Sequence, residues 1–517
     1  MHTSTLDATD TTTENRVHYS KNMGKLQSLA KDTAIYGLSS IIGRFLNYLL
    51  VPLYTAKMSV ESGNYGIVTN MYAWTAILLV LLTFGFETTF FRFASKENSD
   101  VRRVFSMSMQ VIGALCAVFL LAVFMYLPGI ADSLGYAANP EFIGMMAVVV
   151  ALDSLQSIPF GLLRLQKRPL KFASLKLLFI GMNIAMNLLA FVVLPYLAEK
   201  DPGSFARYYD PHNQAFYVFF INLLCTSFIT VFFIPELRMF RFTADSRLLK
   251  EMLKYSWPLL MLGIAGILNL HADKIIYTYL VPGQQGIEEL GIYGACVKVA
   301  AIMAMLMQAF RYAYEPFVFG NSKDKDSKEL YAKAMKYFIV IAMMAFLVVM
   351  FYMDILKYII SPAYWEGLDV VPVVMAAEIF MGIYFNLSFW YKLNDETYWG
   401  AIFSFIGCAI LFAVNFIFVP QYGYMACAWA SFAGYFTAML LSYIIGQKRN
   451  AIGYDMKSIL TYTALFAIVY VISIINPVEN SIARMACNTM LLVVFVAYFI
   501  KKDLPLKSLP VIGKFFR

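Results

Sequence analysis

Fourteen apolar stretches, each about 20 residues long, divide this sequence of 517 residues. A helix needs about 20 consecutive apolar residues to cross the hydrocarbon layer of a membrane. Only 14% of the residues are charged, against roughly 25% in soluble proteins. We therefore predict an all-α integral membrane protein of about 14 transmembrane helices. The predicted spans cover 34–54, 65–86, 104–127, 143–163, 174–196, 215–235, 256–280, 291–312, 336–355, 369–390, 399–419, 424–444, 459–477 and 483–500.

Lysine and arginine are distributed unequally between the two sides of this map. If both termini are cytoplasmic, and residues near the ends of spans are counted with the nearer side, 33 of the 41 basic residues lie on the cytoplasmic side and only five lie outside. The remaining three, Arg44, Lys274 and Lys298, lie within spans. Positive charge near span ends is retained in the cytoplasm, so we expect cytoplasmic termini. The net charge of +8 then reflects topology, and no nucleic-acid partner is expected.

An internal repeat relates the two halves of the sequence at an offset of 228 residues. The residues Gly63, Tyr65, Gly66 and Glu87 recur as Gly291, Tyr293, Gly294 and Glu315. Because the offset spans six helices, it preserves orientation and predicts two parallel six-helix repeats. Transporters use such repeats to expose a central site alternately to each side.

The repeat and the charges together predict the domain organisation. We expect a cytoplasmic segment at 1–30, six-helix bundles at 31–240 and 250–447, two extra helices at 456–500 and a basic cytoplasmic tail at 501–517.

Three local patterns give the sequence a family resemblance. They are Pro52-Leu53-Tyr54-Thr55 followed by Tyr65-Gly66 and Thr89-Phe90-Phe91-Arg92-Phe93; Arg164 with Lys167-Arg168-Pro169; and Tyr255-Ser256-Trp257-Pro258-Leu259 followed by Asp273-Lys274 and Pro316-Phe317. In this order the sequence resembles the polysaccharide flippases of the multidrug/oligosaccharidyl-lipid/polysaccharide exporter superfamily. It departs from their pattern at Lys274, where arginine is commoner, and at Tyr314, where tryptophan is common.

The resemblance implies a function for the chain. It implies an alternating-access carrier that flips a polyprenyl-pyrophosphate-linked oligosaccharide from the inner to the outer leaflet of the bacterial inner membrane. Its expected partners are that lipid-linked substrate, a coupling cation (H⁺ or Na⁺), membrane lipids and the polysaccharide polymerase machinery. No cofactor is expected.

Ionisable residues at membrane depth are the candidate functional residues, because each costs on the order of 2.5–3.5 kcal/mol to insert. We predict that Arg44 and Asn47 line a hydrated lumen and bind the diphosphate. The alternative is that Arg44 forms a structural pair with Asp153 or Glu378. Burial away from water raises the pKa of a carboxyl group, so that it can bind and release a proton closer to neutral pH. Asp153 and Glu378 are therefore also the candidates for binding the coupling ion.

A polar island lies in the seventh span, at His271, Asp273 and Lys274. One interpretation is that these side chains bind substrate in the lumen together with Lys298 and Arg311. The other is a self-neutralising pair between Asp273 and Lys274 that binds nothing. No metal site is predicted, because the other histidines lie in the N-terminal segment or a loop.

Further charges lie near the predicted cytoplasmic ends of the helices. Glu87, Arg92, Arg164, Lys176 and Glu315 are candidates for admitting the diphosphate from that side. The alternative for the basic residues is topology and attraction to anionic lipid headgroups.

Other functions remain open at this stage. A cation-coupled multidrug exporter would favour acidic lumen residues, and a peptidoglycan-precursor flippase is a further relative. We expect no enzyme, because the largest outer loop, about 197–214, is short and the sequence has no phosphate-binding P-loop.

Overall fold

The computed structural model describes residues 48–96, 99–202, 209–320, 327–394 and 396–503. The helices of the first half are α1 Leu50–Lys57, α2 Asn64–Thr83, α3 Phe86–Ala94, α4 Val101–Met125, α5 Leu127–Ser133, α6 Glu141–Leu165, α7 Pro169–Leu188, α8 Leu194–Lys200, α9 Gln214–Val231 and α10 Ile234–Leu237. Those of the second half are α11 Ser246–Leu280, α12 Gln284–Gly320, α13 Ser327–Phe351, α14 Met353–Leu356, α15 Val370–Leu387, α16 Phe389–Leu393, α17 Tyr398–Tyr422, α18 Tyr424–Arg449, α19 Met456–Ile475 and α20 Ser481–Asp503. No strand occurs in these ranges.

The membrane spans agree with the sequence prediction. Within the described ranges, 13 helical segments are long and apolar enough to cross a membrane. The predicted first span at 34–54 lies mostly outside those ranges, and α1 covers its last residues. The all-α fold class is confirmed, and about 14 spans are consistent with it. The division into bundles at 31–240 and 250–447 stays a prediction.

Aspartates begin several helices at the end of the molecule that the charge distribution predicts to be cytoplasmic. The carboxylate of Asp100 accepts hydrogen bonds from the amides of Arg102 and Arg103 at 3.0 and 3.2 Å. Asp245 and Asp455 cap α11 and α19 in the same way. Side-chain oxygens at these positions satisfy amides that have no partner within the helix. We call this end the inner end and the opposite one the outer end.

A break separates α2 from α3 in the first half. Phe84 and Gly85 both have left-handed backbone conformations, with φ of 50° and 69°. The positions that match them in the repeat, 312 and 313, continue as helix within α12. The gap between the predicted spans 399–419 and 424–444 is shorter in the structure: α17 continues through Pro420 to Tyr422, and Gly423 has a positive φ of 55°.

Glycines allow α2 and α12 to cross closely near the outer end. A Cβ added to Gly66 would overlap the carbonyl oxygen of Ile287, and one added to Gly294 would lie 2.5 Å from Thr69 Oγ1. Small residues let membrane helices approach at backbone distance. Gly66 and Gly294 occupy matching positions of the repeat, so the crossing joins the two halves of the sequence through equivalent residues.

Helix α11 also joins the halves, because it packs against α2 and α3. At the inner end the hydroxyls of Thr89 and Ser256 are 2.6 Å apart. Closer to the outer end the side-chain amide of Asn70 donates to the carbonyl of Lys274 at 2.9 Å.

The last two helices pack on α13, and polar contacts hold α20 to this region near both ends. Near the outer end Arg484 forms an ion pair with Asp354, which also pairs with Lys357 at 3.4 Å. At the inner end Lys336 of α13 forms an ion pair with Asp503, whose carboxylate also accepts from Tyr462.

Candidate functional site

A cavity of about 550 Å³ lies among helices from both halves of the sequence. Five ionisable residues predicted to lie at membrane depth contribute to its lining: Asp153, His271, Lys274, Lys298 and Glu378. These residues come from four helices, α6, α11, α12 and α15. Polar side chains at this depth are costly unless they face water or a partner. Their convergence therefore identifies the cavity as the candidate functional site.

Lys298 is the basic residue that is most available to a ligand in this cavity. Its side chain is exposed, although the residues on either side of it in α12 are largely buried. Within the part of the chain that the structure describes, its ammonium has no hydrogen-bond or ion-pair partner. Lys298 also lies close enough to Lys274 for their charges to interact. Two neighbouring cations form an attractive site for a doubly charged anion.

Asp153 and Glu378 are the carboxylates of the cavity. Asp153 lies at the middle of α6, and Glu378 lies at the middle of α15. Each interacts electrostatically with a lysine, Asp153 with Lys176 and Glu378 with Lys274. The Oε2 atom of Glu378 is buried, and no hydrogen-bond partner for it occurs in the described ranges. Such a carboxylate retains the capacity to bind a proton or a metal cation.

Asp273 lies behind the cavity wall rather than among the residues that line it. It is only 2% exposed, and both of its carboxylate oxygens are 3.0 Å from Nζ of Lys274. The hydroxyl of Tyr293 donates to it at 2.6 Å. The Lys274 ammonium also donates to the carbonyl of Leu270 at 3.3 Å. This geometry fixes the position of Lys274, which itself lines the cavity.

Several polar residues of this site were not singled out in the sequence. Asn70 is 2% exposed; it accepts a hydrogen bond from Tyr136 at 3.0 Å and donates to the Lys274 carbonyl. Asn183 and Asn222 line the cavity, and Asn222 donates to the hydroxyl of Tyr72 at 3.3 Å. Each is an amide within an apolar stretch of the sequence, with no charged residue at helical spacing to distinguish it, as Arg44 distinguishes Asn47.

The remaining predicted lumen residues are Arg44, Asn47 and Arg311. Arg44 and Asn47 lie outside the described residues. Arg311 has an exposed side chain, and its guanidinium stacks on Phe385 at 4.4 Å from the ring centroid. It is not among the residues that line the cavity.

Four of the residues predicted to admit the substrate contact other side chains of the protein. Arg164 forms an ion pair with Glu87, and Arg92 lies over the ring of Tyr255 at 4.1 Å. Lys176 lies over the ring of Phe160 at 4.1 Å. The side chain of Glu315 lies outside the described part of the structure.

Comparison with known families supports the resemblance noted in the sequence. Residues 29–171 match a family described as "Polysaccharide biosynthesis protein". This segment includes α1 to α6 and therefore Asp153. No curated relative matches the sequence significantly.

The chain shares its fold with solved structures that include a flippase and MATE proteins. A structure described as "Lipid II flippase MurJ, inward closed conformation" matches with a TM-score of 0.67 and 14% identity, over 90% of this chain and 98% of that one. An inward-facing multidrug resistance MATE family transporter of the MOP superfamily matches with a TM-score of 0.60 and 13% identity, over 78% and 94%. A MATE protein in complex with MaD3S matches with a TM-score of 0.53, also at 13% identity, over 81% and 95%. The predicted resemblance is confirmed, and this multi-pass membrane chain has the fold of that superfamily.

Proposed function

We propose that this chain flips a polyprenyl-pyrophosphate-linked oligosaccharide across the bacterial inner membrane. The chain has the fold of the MOP superfamily, and one segment of it matches the polysaccharide-biosynthesis family. The substrate moves from the inner to the outer leaflet by alternating access, and both termini are cytoplasmic. The family match at residues 29–171 supports the substrate class. No catalytic step is part of the proposal.

The observation that carries the proposal is the unpaired ammonium of Lys298 beside Lys274 in the central cavity. Removing a cation from water into a membrane protein is costly, and no described residue neutralises Lys298. A diphosphate supplies this missing negative charge. Lys274 and Lys298 therefore bind the pyrophosphate, and Asp273 with Tyr293 holds Lys274 in place.

The size and the lining of the cavity limit which part of the substrate it holds. A volume of about 550 Å³ lies within the range of small-molecule sites. It accommodates the diphosphate and the nearest sugars, while the rest of the glycan extends beyond it. Asn183 and Asn222 provide donors and acceptors for sugar hydroxyls, and Tyr65 and Tyr72 provide aromatic faces.

Asp153 and Glu378 are the proposed coupling sites. They face the same cavity as the two lysines from different helices. A proton or sodium ion that binds either carboxylate changes the net charge near the lysines. Substrate binding and cation binding are thereby linked through a single cavity, as exchange across the membrane requires.

The test uses purified full-length protein in liposomes that contain a lipid-linked oligosaccharide with a fluorescent sugar. Flipping is measured as the fraction of label that becomes accessible to a membrane-impermeant quencher. The proposal expects faster flipping than in protein-free liposomes, and a further increase with an imposed proton or sodium gradient. A rate equal to that of protein-free liposomes under every gradient would contradict it.

The two carboxylates in the cavity favour one second candidate, a cation-coupled multidrug exporter. Such a protein binds cationic drugs through carboxylates, and Asp153 and Glu378 are available for this role. Gradient-driven uptake of a fluorescent organic cation, with no flipping of the oligosaccharide lipid, would support this candidate over the first.

A further inference from the structure

A second recess lies at the inner end, away from the central cavity. It has a volume of about 580 Å³, and its lining includes Phe84, Leu249, Leu253 and Trp257. Its polar rim is formed by Ser246, Lys250 and Lys254. We call it the Phe84–Trp257 groove. It lies between the first turns of α11 and Phe84, the residue with a left-handed backbone conformation that follows the end of α2.

The length of α11 places this groove at the membrane–water interface. The helix has 35 residues and is therefore about 52 Å long, whereas the hydrocarbon layer is about 30 Å thick. If the residues that end at Leu280 span the hydrocarbon, the turns from Ser246 to Trp257 reach the headgroup region. Trp257 is 55% exposed, and tryptophan is enriched at this level of membrane proteins.

The side of α11 that borders the groove carries an excess of positive charge. Arg247 pairs with Glu251 at 3.3 Å, so these two residues neutralise each other. Lys250 and Lys254 are one helical turn apart and both exposed. Neither has an ion-pair partner among the residues that the structure describes. Two free ammonium groups thus border an apolar surface.

Phe84 gives the groove a fixed wall. Its φ of 50° is a conformation that costs a bulky residue energy and persists only when the surroundings hold it. The ring lies 6.1 Å from that of Trp257 and 6.4 Å from that of Phe86. The apolar surface is therefore held in place by packing rather than by a flexible side chain.

We propose that the Phe84–Trp257 groove binds an anionic phospholipid of the inner leaflet. The phosphate lies between Lys250 and Lys254, and an acyl chain lies along Phe84, Leu253 and Trp257. Charge complementarity selects the headgroup, because a basic pocket at a helix interface attracts anionic lipids. The apolar wall distinguishes this site from a loose cluster of surface lysines. The site is independent of the transported substrate.

The test measures contact between a lipid chain and Trp257. Full-length protein is reconstituted in nanodiscs of phosphatidylcholine that contain brominated phosphatidylglycerol or brominated phosphatidylcholine at equal mole fraction. Bromine quenches tryptophan fluorescence on contact. Subtracting the fluorescence of the Trp257→Phe variant isolates the signal of Trp257 from that of the other five tryptophans. The proposal expects phosphatidylglycerol to be preferred roughly thirtyfold at Trp257, since two lysines at about 1 kcal/mol each contribute about 2 kcal/mol.

Two double variants separate the groove from general surface charge. Lys250→Gln/Lys254→Gln should abolish the preference, whereas Lys448→Gln/Lys457→Gln should retain it. The second pair removes the same charge from exposed positions near the inner end that border no part of the groove. Equal loss in both variants, or no preference in the wild type, would overturn the proposal. Displacement of the brominated lipid by equimolar polyprenyl diphosphate would also overturn it and assign the groove to the substrate.

Discussion

Gly66 lies directly against the carbonyl group of Ile287, with no room between them for a methyl group. This contact joins α2 to α12 at the predicted outer end, and Gly294, the equivalent of Gly66 in the repeat, contacts Thr69 at the same crossing. The outer ends of two equivalent helices are thus held together through backbone contact, on the outer side of the central cavity.

Gly66→Ala should destabilise this arrangement. The added Cβ overlaps a backbone oxygen, which cannot rotate away as a side chain would, so the helices must separate. Overpacking of this kind costs about 1–3 kcal/mol. We expect a lower unfolding temperature of the purified protein in detergent. Gly113→Ala is the matched control, because an added Cβ there meets no atom within 4 Å, and it should leave that temperature unchanged or slightly raised. Equal behaviour of the two variants would contradict the close crossing.

Lys298→Gln should reduce transport without reducing protein abundance. The ammonium has no protein partner to lose, so removing it leaves no unpaired group and the fold is unaffected. A charge-assisted hydrogen bond contributes about 1.5–3 kcal/mol, which predicts roughly a tenfold to hundredfold loss of flipping rate. Lys298→Arg retains the charge and should retain much of the rate. If the glutamine variant flips the lipid at the wild-type rate, Lys298 does not contact substrate.

Asp273→Asn should be more damaging to stability than Lys298→Gln. It removes the carboxylate that Lys274 and Tyr293 share, and leaves the Lys274 charge without its partner. Removing one member of a buried pair costs about 3–5 kcal/mol, and access of Lys274 to the cavity places the expected loss near 3 kcal/mol. The measurement is the free energy of unfolding in detergent. A loss no greater than that of Lys298→Gln would show that the pair contributes little.

Asp153→Asn and Glu378→Gln test which carboxylate couples transport to an ion gradient. An amide cannot bind a proton or a sodium ion in place of the carboxylate. The variant at the coupling site should flip lipid at the same rate with and without a gradient, while the other variant keeps its gradient dependence. Persistent dependence in both single variants and in the double variant would remove both residues from this role.

Asp354 should contribute stability that is lost in acid. Burial opposes its ionisation, but hydrogen bonds and charges from Arg484 and Lys357 outweigh burial and hold the pKa of the carboxyl below its ordinary value. A lowered pKa stabilises the folded protein above the ordinary pKa of aspartate, and this contribution disappears as the pH falls through the lowered value. Asp354→Asn should therefore reduce stability near pH 7 and flatten its decline in acid. Thermal unfolding between pH 3 and pH 7 measures this difference, and parallel curves for the variant and the wild type would contradict it.

The membrane spans could be predicted because the necessary information is local. A run of about twenty apolar residues is long enough to cross the hydrocarbon layer as a helix, and this can be read from the run itself without knowing which helices surround it. That Asp153, Lys298 and Glu378 would avoid lipid could also be predicted from the sequence, because each is too costly to expose there. Which of them would meet was not encoded locally, and only the packing of α6, α12 and α15 brings them together.

Other features depend on contacts between distant residues and could not be predicted. For Asp273 the sequence left open a role in the lumen or a pair with Lys274; the structure has that pair, and Tyr293, which lies 20 residues later on the next helix, also donates a hydrogen bond to it. Arg311 was also expected there, and its guanidinium instead stacks on a ring of α15. The helix break at Phe84 has no proline to signal it. Only comparison with the unbroken repeat copy in α12 makes it conspicuous.

The ion pairs at Asp354 and Asp503 have a mechanical consequence for the last two helices. Since α20 is fastened near both of its ends to the region of α13, it cannot slide or tilt separately from that helix without breaking a partly buried ion pair. In the proposed alternating-access cycle, α19 and α20 therefore move together with α13. These two helices carry many exposed isoleucine and valine side chains, so a movement of α13 in that cycle also displaces the lipid around α19 and α20.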